Sequence, residues 1–355
     1  MRKSTINLFG SEWFGIAIST LALAQVYILI FGQFHNILLR YVAEAFTLIG
    51  LAIFVIIISI WTLRSFVVRD GVFSHWNNLT RMSFIALIPI IGFVGNYQLI
   101  YFFGLSHATA ELSLINYYGN YILALTLGVL LGYRLYTKII NPGELNYAIV
   151  IPPLAIGTSV FLAGPLMAFN GGIEAQTMYF LVLMGLGVFF FLYIFIGSLA
   201  LAGHVSNKVS NIIPTTMLPV GISSLIIINL FSIAGFGSVD QISLSIHTVE
   251  FLSVILWGFE VWNFLVVLIL IFTNPSRATL SVWAYGFPLG LFATSTIRIF
   301  TLTDFSALLW IFLAIGIMLN ALWVYAWLNT VMFIHEKLKT EVKEREAVPK
   351  KNVMP

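Results

Sequence analysis

The chain has 355 residues, of which 60% are hydrophobic and only 9% charged, with a mean hydropathy of +0.99. That composition excludes a water-soluble domain, because the polar residues needed to coat it are missing, and it marks a polytopic membrane protein. The absence of cysteine excludes disulfides, thiol chemistry and thiolate metal sites, and the net charge of +3 comes from basic residues scattered over loop ends and a tail, which suits topology determinants and not a nucleic-acid surface.

A helix that crosses a bilayer needs about 20 apolar residues. Ten segments qualify, with approximate limits 11–32, 41–63, 83–103, 114–133, 147–166, 177–203, 212–234, 248–272, 280–297 and 306–334. The first imitates a secretion signal, since Arg2 and Lys3 precede an apolar run ending in Ala22-Leu23-Ala24. Glu12 interrupts that run and apolar residues continue to Phe31, so it is expected to remain a span. The amino end, the connections after spans 2, 4, 6 and 8, and the carboxyl end hold 15 of the 17 Lys and Arg; Arg40 and Arg298 lie on the other side. The positive-inside rule then places both termini in the cytoplasm of a multi-pass cell-membrane protein, which an even number of spans requires. The sequon Asn78-Leu79-Thr80 falls on the cytoplasmic side and reads as chance. Residues 1–335 form one ten-helix domain on this reading, and 336–355 a charged, mobile tail.

The prolines sort by span. Pro89 lies in span 3, Pro152 and Pro153 in span 5, Pro214 and Pro219 in span 7, and Pro288 in span 9, whereas the even spans have none. Pro89, Pro153, Pro219 and Pro288 are each followed within four residues by a glycine, Gly92, Gly157, Gly221 and Gly290, and they lie 64, 66 and 69 residues apart. The repeating unit is therefore a helical hairpin. Proline removes a backbone hydrogen bond and frees a carbonyl, which is costly against lipid, so the odd spans belong inside and the unbroken even spans outside. Five inner helices within five outer ones suggest a central pore. Ser19, Thr20, Asn96, Gln98, Thr158, Ser159, Ser223, Ser224 and Thr294 to Thr296 all lie in odd spans and are expected to line it, with no Lys or Arg inside. The bland alternative is that Pro, Gly and Thr only promote tight helix packing.

Three stretches carry a resemblance: "EWFGIAISTLALA" from Glu12, "RMSFIALIPI" from Arg81 and "WAYGFPLG" from Trp283. They resemble the tellurite-resistance and dicarboxylate transporter family, which includes the plant slow-type anion channels, and the similarity covers essentially the whole chain. The resemblance implies five hairpins about a pore, one pore per protomer, and a homotrimer in the lipid bilayer. It also implies a phenylalanine on the ninth helix that occludes the pore, here Phe287. The candidate lining and break residues are then Phe14, Gly15, Pro89, Gly92, Pro153, Gly157, Pro219, Gly221, Gly286, Pro288 and Gly290. Gly286 and Gly290 would let the helix bend and bring the Phe287 ring to the axis. Ala17 stands where relatives often have proline, so a kink in span 1 is open. The substrates implied are small inorganic or organic anions; malate-type dicarboxylate carriers and sulfite or tellurite-related exporters are the alternatives.

Other features carry less. Glu260, deep in span 8, is a candidate for proton coupling, with a hydrogen-bonded role at a helix or subunit interface as the plainer reading. Glu12 reads as a solvated end charge, and Gly128 and Gly132 in span 4 as a packing pair. The histidines lack metal-ligand spacing, and no phosphate loop, dinucleotide fingerprint or convergent catalytic set occurs. A channel or transporter without cofactor is expected, and not an enzyme.

Overall fold

In hydrocarbon every backbone N–H and C=O must be paired within the protein, so long apolar runs fold as helices. A computed structural model of the chain describes residues 9–67, 78–140, 144–206, 210–236 and 244–347. Ten of its helices are long and apolar enough to cross a membrane: α1 (Ser11–Phe34), α2 (Ile37–Val67), α3 (Leu79–Phe103), α4 (His107–Thr137), α5 (Tyr147–Asn170), α6 (Gly172–His204), α7 (Ile213–Gly235), α8 (Ile246–Thr273), α9 (Leu280–Thr303) and α10 (Ser306–Thr340). The last helix continues to Ala347, well past the boundary expected at 335. Asn78 of the sequon has a structural task, since its side chain accepts from the Arg81 N–H at 2.9 Å and caps the start of α3.

The odd and even helices differ sharply in burial. Between 67% and 89% of the hydrophobic window of each odd helix is buried, against 11–33% for the even ones. Each odd helix packs on the even helix that follows it, making five hairpins. The odd helices also touch one another in a closed ring, α1 on α3, α3 on α5, α5 on α7, α7 on α9 and α9 back on α1. Each even helix rests in the groove between its own partner and the next odd helix, so α10 closes the circle by packing on α1.

The prolines mark where α-helix begins and not where it kinks. A 3₁₀ turn opens α5 (Tyr147–Val150), α7 (Ser210–Met217) and α9 (Leu280–Tyr285), and a tightened turn at Ala86 divides α3. The α-helical part then starts at Leu87, Ile151, Leu218 and Gly286, which makes Pro89, Pro153, Pro219 and Pro288 its second or third residue. First-turn N–H groups have no intrahelical acceptor, so a residue without one loses nothing there. In α1 the 3₁₀ turn Ser11–Trp13 precedes an unbroken α-helix from Phe14, so the same start occurs with Ala17 in place of proline. A further proline, Pro165, sits inside the second half of α5. That helix is interrupted at Thr158–Ser159, and the carbonyl freed at Gly157 accepts from Asn229 Nδ2 of α7 at 3.1 Å.

Glycine brings the inner helices close. A Cβ on Gly286 would stand 2.5 Å from Ser19 Cβ, one on Gly290 would stand 2.8 Å from Ala22 Cβ, and one on Gly221 would stand 2.7 Å from Pro288 Cα. The glycines flanking Phe287 thus seat α9 against α1, and they do so within a continuous helix from Gly286 to Thr303 rather than at a bend.

Candidate functional site

Because odd helices all begin on the side where the chain begins, their first turns meet at one face, here called the near face. Glu12, Gly15, Phe84, Leu87, Ile151, Leu154, Leu218, Trp283, Phe287 and Pro288 there enclose a cavity of about 20 Å³, with every one of the five inner helices contributing. This is room for about one water molecule. Phe287 is 5% exposed and so is buried in the wall of this space. The wall behind it is fixed: Ser19 Oγ donates to the Trp283 carbonyl at 2.8 Å, and Trp283 Nε1 donates to Thr330 Oγ1 of α10 at 2.9 Å. At the rim Arg81 Nε lies 3.2 Å from Glu12 Oε1, so the acid is ion-paired across α1 and α3 instead of merely solvated.

The last turns of the inner helices meet at the opposite, far face. A second cavity there, about 300 Å³, is lined from α3 by Tyr97, from α5 by Phe161 and Pro165, from α7 by Phe231 and Ser232, and from α9 by Arg298. Pro165 has no N–H for the Phe161 carbonyl, which leaves backbone polarity beside this cavity. Arg298 corrects the expectation that no Lys or Arg lies inside the ring. A hydropathy window ends a span at its first charge, near 297, whereas the helix runs on to Thr303 and carries Arg298 against the cavity.

The structure distributes the candidate residues over several surfaces. Gly15, Phe287 and Pro288 line the near cavity. Phe14 turns outwards, its ring 6.0 Å from that of Phe54 and 5.9 Å from that of Trp61, both in α2. Gly92 faces Asn120 of α4 and borders an outward groove between α2, α3 and α4. Gly157 faces Phe189 of α6, while Gly221, Gly286 and Gly290 lie in helix contacts as described. Pro89, Pro153 and Pro219 are fully enclosed at their helix starts.

The hydroxyls and amides differ most from expectation. Thr20 donates to Ile16 O, Thr158 to Ala155 O, Ser223 to Pro219 O, Ser224 to Val220 O and Thr294 to Gly290 O, all carbonyls of their own helices. Several also accept from tryptophans of outer helices, Thr20 from Trp323 at 3.1 Å and Thr296 from Trp257 at 3.0 Å. Gln98 donates to Leu21 O at 2.8 Å and accepts from Thr47 at 3.1 Å. These groups serve their own helices or join neighbouring ones; neither cavity includes them. The near cavity is therefore apolar apart from its rim.

A family model described as voltage-dependent anion channel matches residues 8–331. The chain belongs to this family. No curated protein matches it closely enough to add a nearer relative. Membership makes the chain an anion channel or transporter of the group that the motifs resemble.

The remaining candidates line neither cavity. Glu260 of α8 is fully buried, and Ser295 Oγ of α9 donates to its Oε2 at 2.8 Å, so it belongs to a contact between two helices of the chain. A Cβ on Gly128 would come 3.1 Å from Ile156 Cδ1, the packing contact expected, while Gly132 faces open space. His204 stacks on Tyr147 at 5.1 Å and has Nε2 3.4 Å from Thr215 Oγ1. Among the described residues no group of three His, Asp or Glu side chains is placed to hold a metal ion.

Proposed function

We propose that the chain is a small-anion channel, or a transporter working as one, in which Phe287 closes a pore carried by each protomer of a homotrimer. The near face is cytoplasmic on this reading, since the basic residues concentrate there, and the far face opens outwards from the cell membrane. The observation that carries the proposal is the position of Phe287, buried in the wall of a small apolar cavity to which all five inner helices contribute. An anion crossing this point sheds water against a hydrocarbon ring, and each 1.4 kcal/mol or so of barrier slows it about tenfold. The order of preference then follows ease of dehydration. Glu260 turns to Ser295 and lines neither cavity, which weighs against the alternative of a proton-coupled dicarboxylate carrier or a sulfite or tellurite-related exporter.

The test is the current carried by Phe287→Ala in planar bilayers. Removing the ring is expected to raise anion conductance by at least about tenfold, a barrier change of roughly 1.4 kcal/mol, while the sequence of anion preference is preserved. A well-folded Phe287→Ala protein with unchanged or reduced single-channel current would defeat the gate.

A further inference from the structure

Among the described residues Arg298 is a cation without a counter-charge. The ion pairs among the described residues are Arg81 with Glu12 and His247 with Glu250, and Arg298 takes part in neither. Its Nε is buried and has no hydrogen-bond partner. The guanidinium carbon lies 6.0 Å from the centre of the Phe231 ring, and the group borders a cavity of about 300 Å³ that also holds the Tyr97 side chain. A partly buried charge whose Nε is out of reach of water is unfavourable unless an opposite charge completes it. The room for that charge adjoins the group.

We infer that Arg298 is the core of a binding site for one small monovalent anion at the far end of the path. A cation over a ring face is held electrostatically by the ring, which fixes the Arg298 guanidinium against Phe231 and leaves its remaining N–H groups for a ligand. Those donors form a planar fork that suits a flat oxyanion better than a spherical halide. One positive charge balances one negative charge, so a dicarboxylate would bring a second charge for which the described cavity wall has no partner. Along α9 the site lies about 16 Å from Phe287, by eleven residues at 1.5 Å each. The site thus concentrates anions one helix segment away from the constriction. This extends the anion-path reading and rests on it.

Nitrate is the probe. Purified protein in detergent is melted over a nitrate series, with sulfate holding ionic strength constant, and folding of each variant is checked by size-exclusion chromatography. Wild type and Phe287→Ala are both expected to show a saturable rise in melting temperature. Arg298→Gln is expected to lose it, or to raise the half-saturating nitrate concentration at least about tenfold. Arg298→Lys keeps the charge without the fork, so it is expected to bind chloride and nitrate about equally where wild type prefers nitrate; it carries the test if Arg298→Gln does not fold. Absence of saturable nitrate stabilisation in folded wild-type protein, or the same stabilisation in both Arg298 variants, overturns the site. Neither outcome depends on current, so a failed Phe287 gate and a failed Arg298 site are separately visible.

Discussion

Glu260 projects from α8 into the contact with α9, fully buried, with Ser295 as donor to one of its oxygens. Glutamine preserves an acceptor for Ser295 at the same place, so Glu260→Gln is expected to change stability by less than about 1 kcal/mol. Alanine removes the acceptor and leaves a void, and Glu260→Ala is expected to cost about 2 kcal/mol or more. Both variants should retain the anion preference and the response of flux to a pH gradient. Melting in detergent and liposome flux measure the two effects, and a folded Glu260→Gln protein that has lost its pH response would make this carboxyl a proton-coupling group after all.

At the scale of the helix, the breaks fall where their backbone groups are provided for. The four repeat prolines stand in first turns, and the interruption of α5 is served by Asn229, whose Nδ2 also donates to Leu225 O at 2.8 Å. Replacing a first-turn proline restores an N–H that the helix does not use, so Pro219→Ala is expected to cost only the packing of the buried ring carbons it removes, about 1 kcal/mol. Asn229→Leu instead orphans the buried Gly157 carbonyl, a loss of about 1–3 kcal/mol. The thermal melts of the two variants should therefore rank in that order. Equal losses would mean that the ring tolerates an unpaired carbonyl at the α5 break.

The ten helices form one closed double ring, and its placement in the membrane is testable because the chain has no cysteine. Lys138 on the near side and Ala108 on the far side are both exposed. A membrane-impermeant maleimide applied to intact cells is expected to label Ala108→Cys and to reach Lys138→Cys only after permeabilisation. The same proteins, solubilised in mild detergent, are expected to sediment as three protomers. Labelling of Lys138→Cys in intact cells would reverse the orientation and exchange the two mouths of the path.

Composition, proline spacing and loop charge were enough to determine ten spans, five hairpins and the division into inner and outer helices. Those features depend on one-dimensional properties: apolar length, the cost of a broken helix in lipid, and the count of spans between charged loops. The motif around Phe287 was also legible as sequence. What faces the axis was not. An inner helix is enclosed on every side, so it is apolar all round and its pattern has no period from which to read a pore-facing stripe. Only the packing of neighbours decided that Phe14 meets Phe54 and Trp61, that Gly286 and Gly290 seat α9 on Ser19 and Ala22, and that the serines and threonines tie helices together. Arg298 shows the same limit from the other side: its charge ended the apolar run in sequence, while the helix beneath it continued for another turn and, through the contacts of α7 with α9, set the guanidinium beside Phe231 in the far cavity.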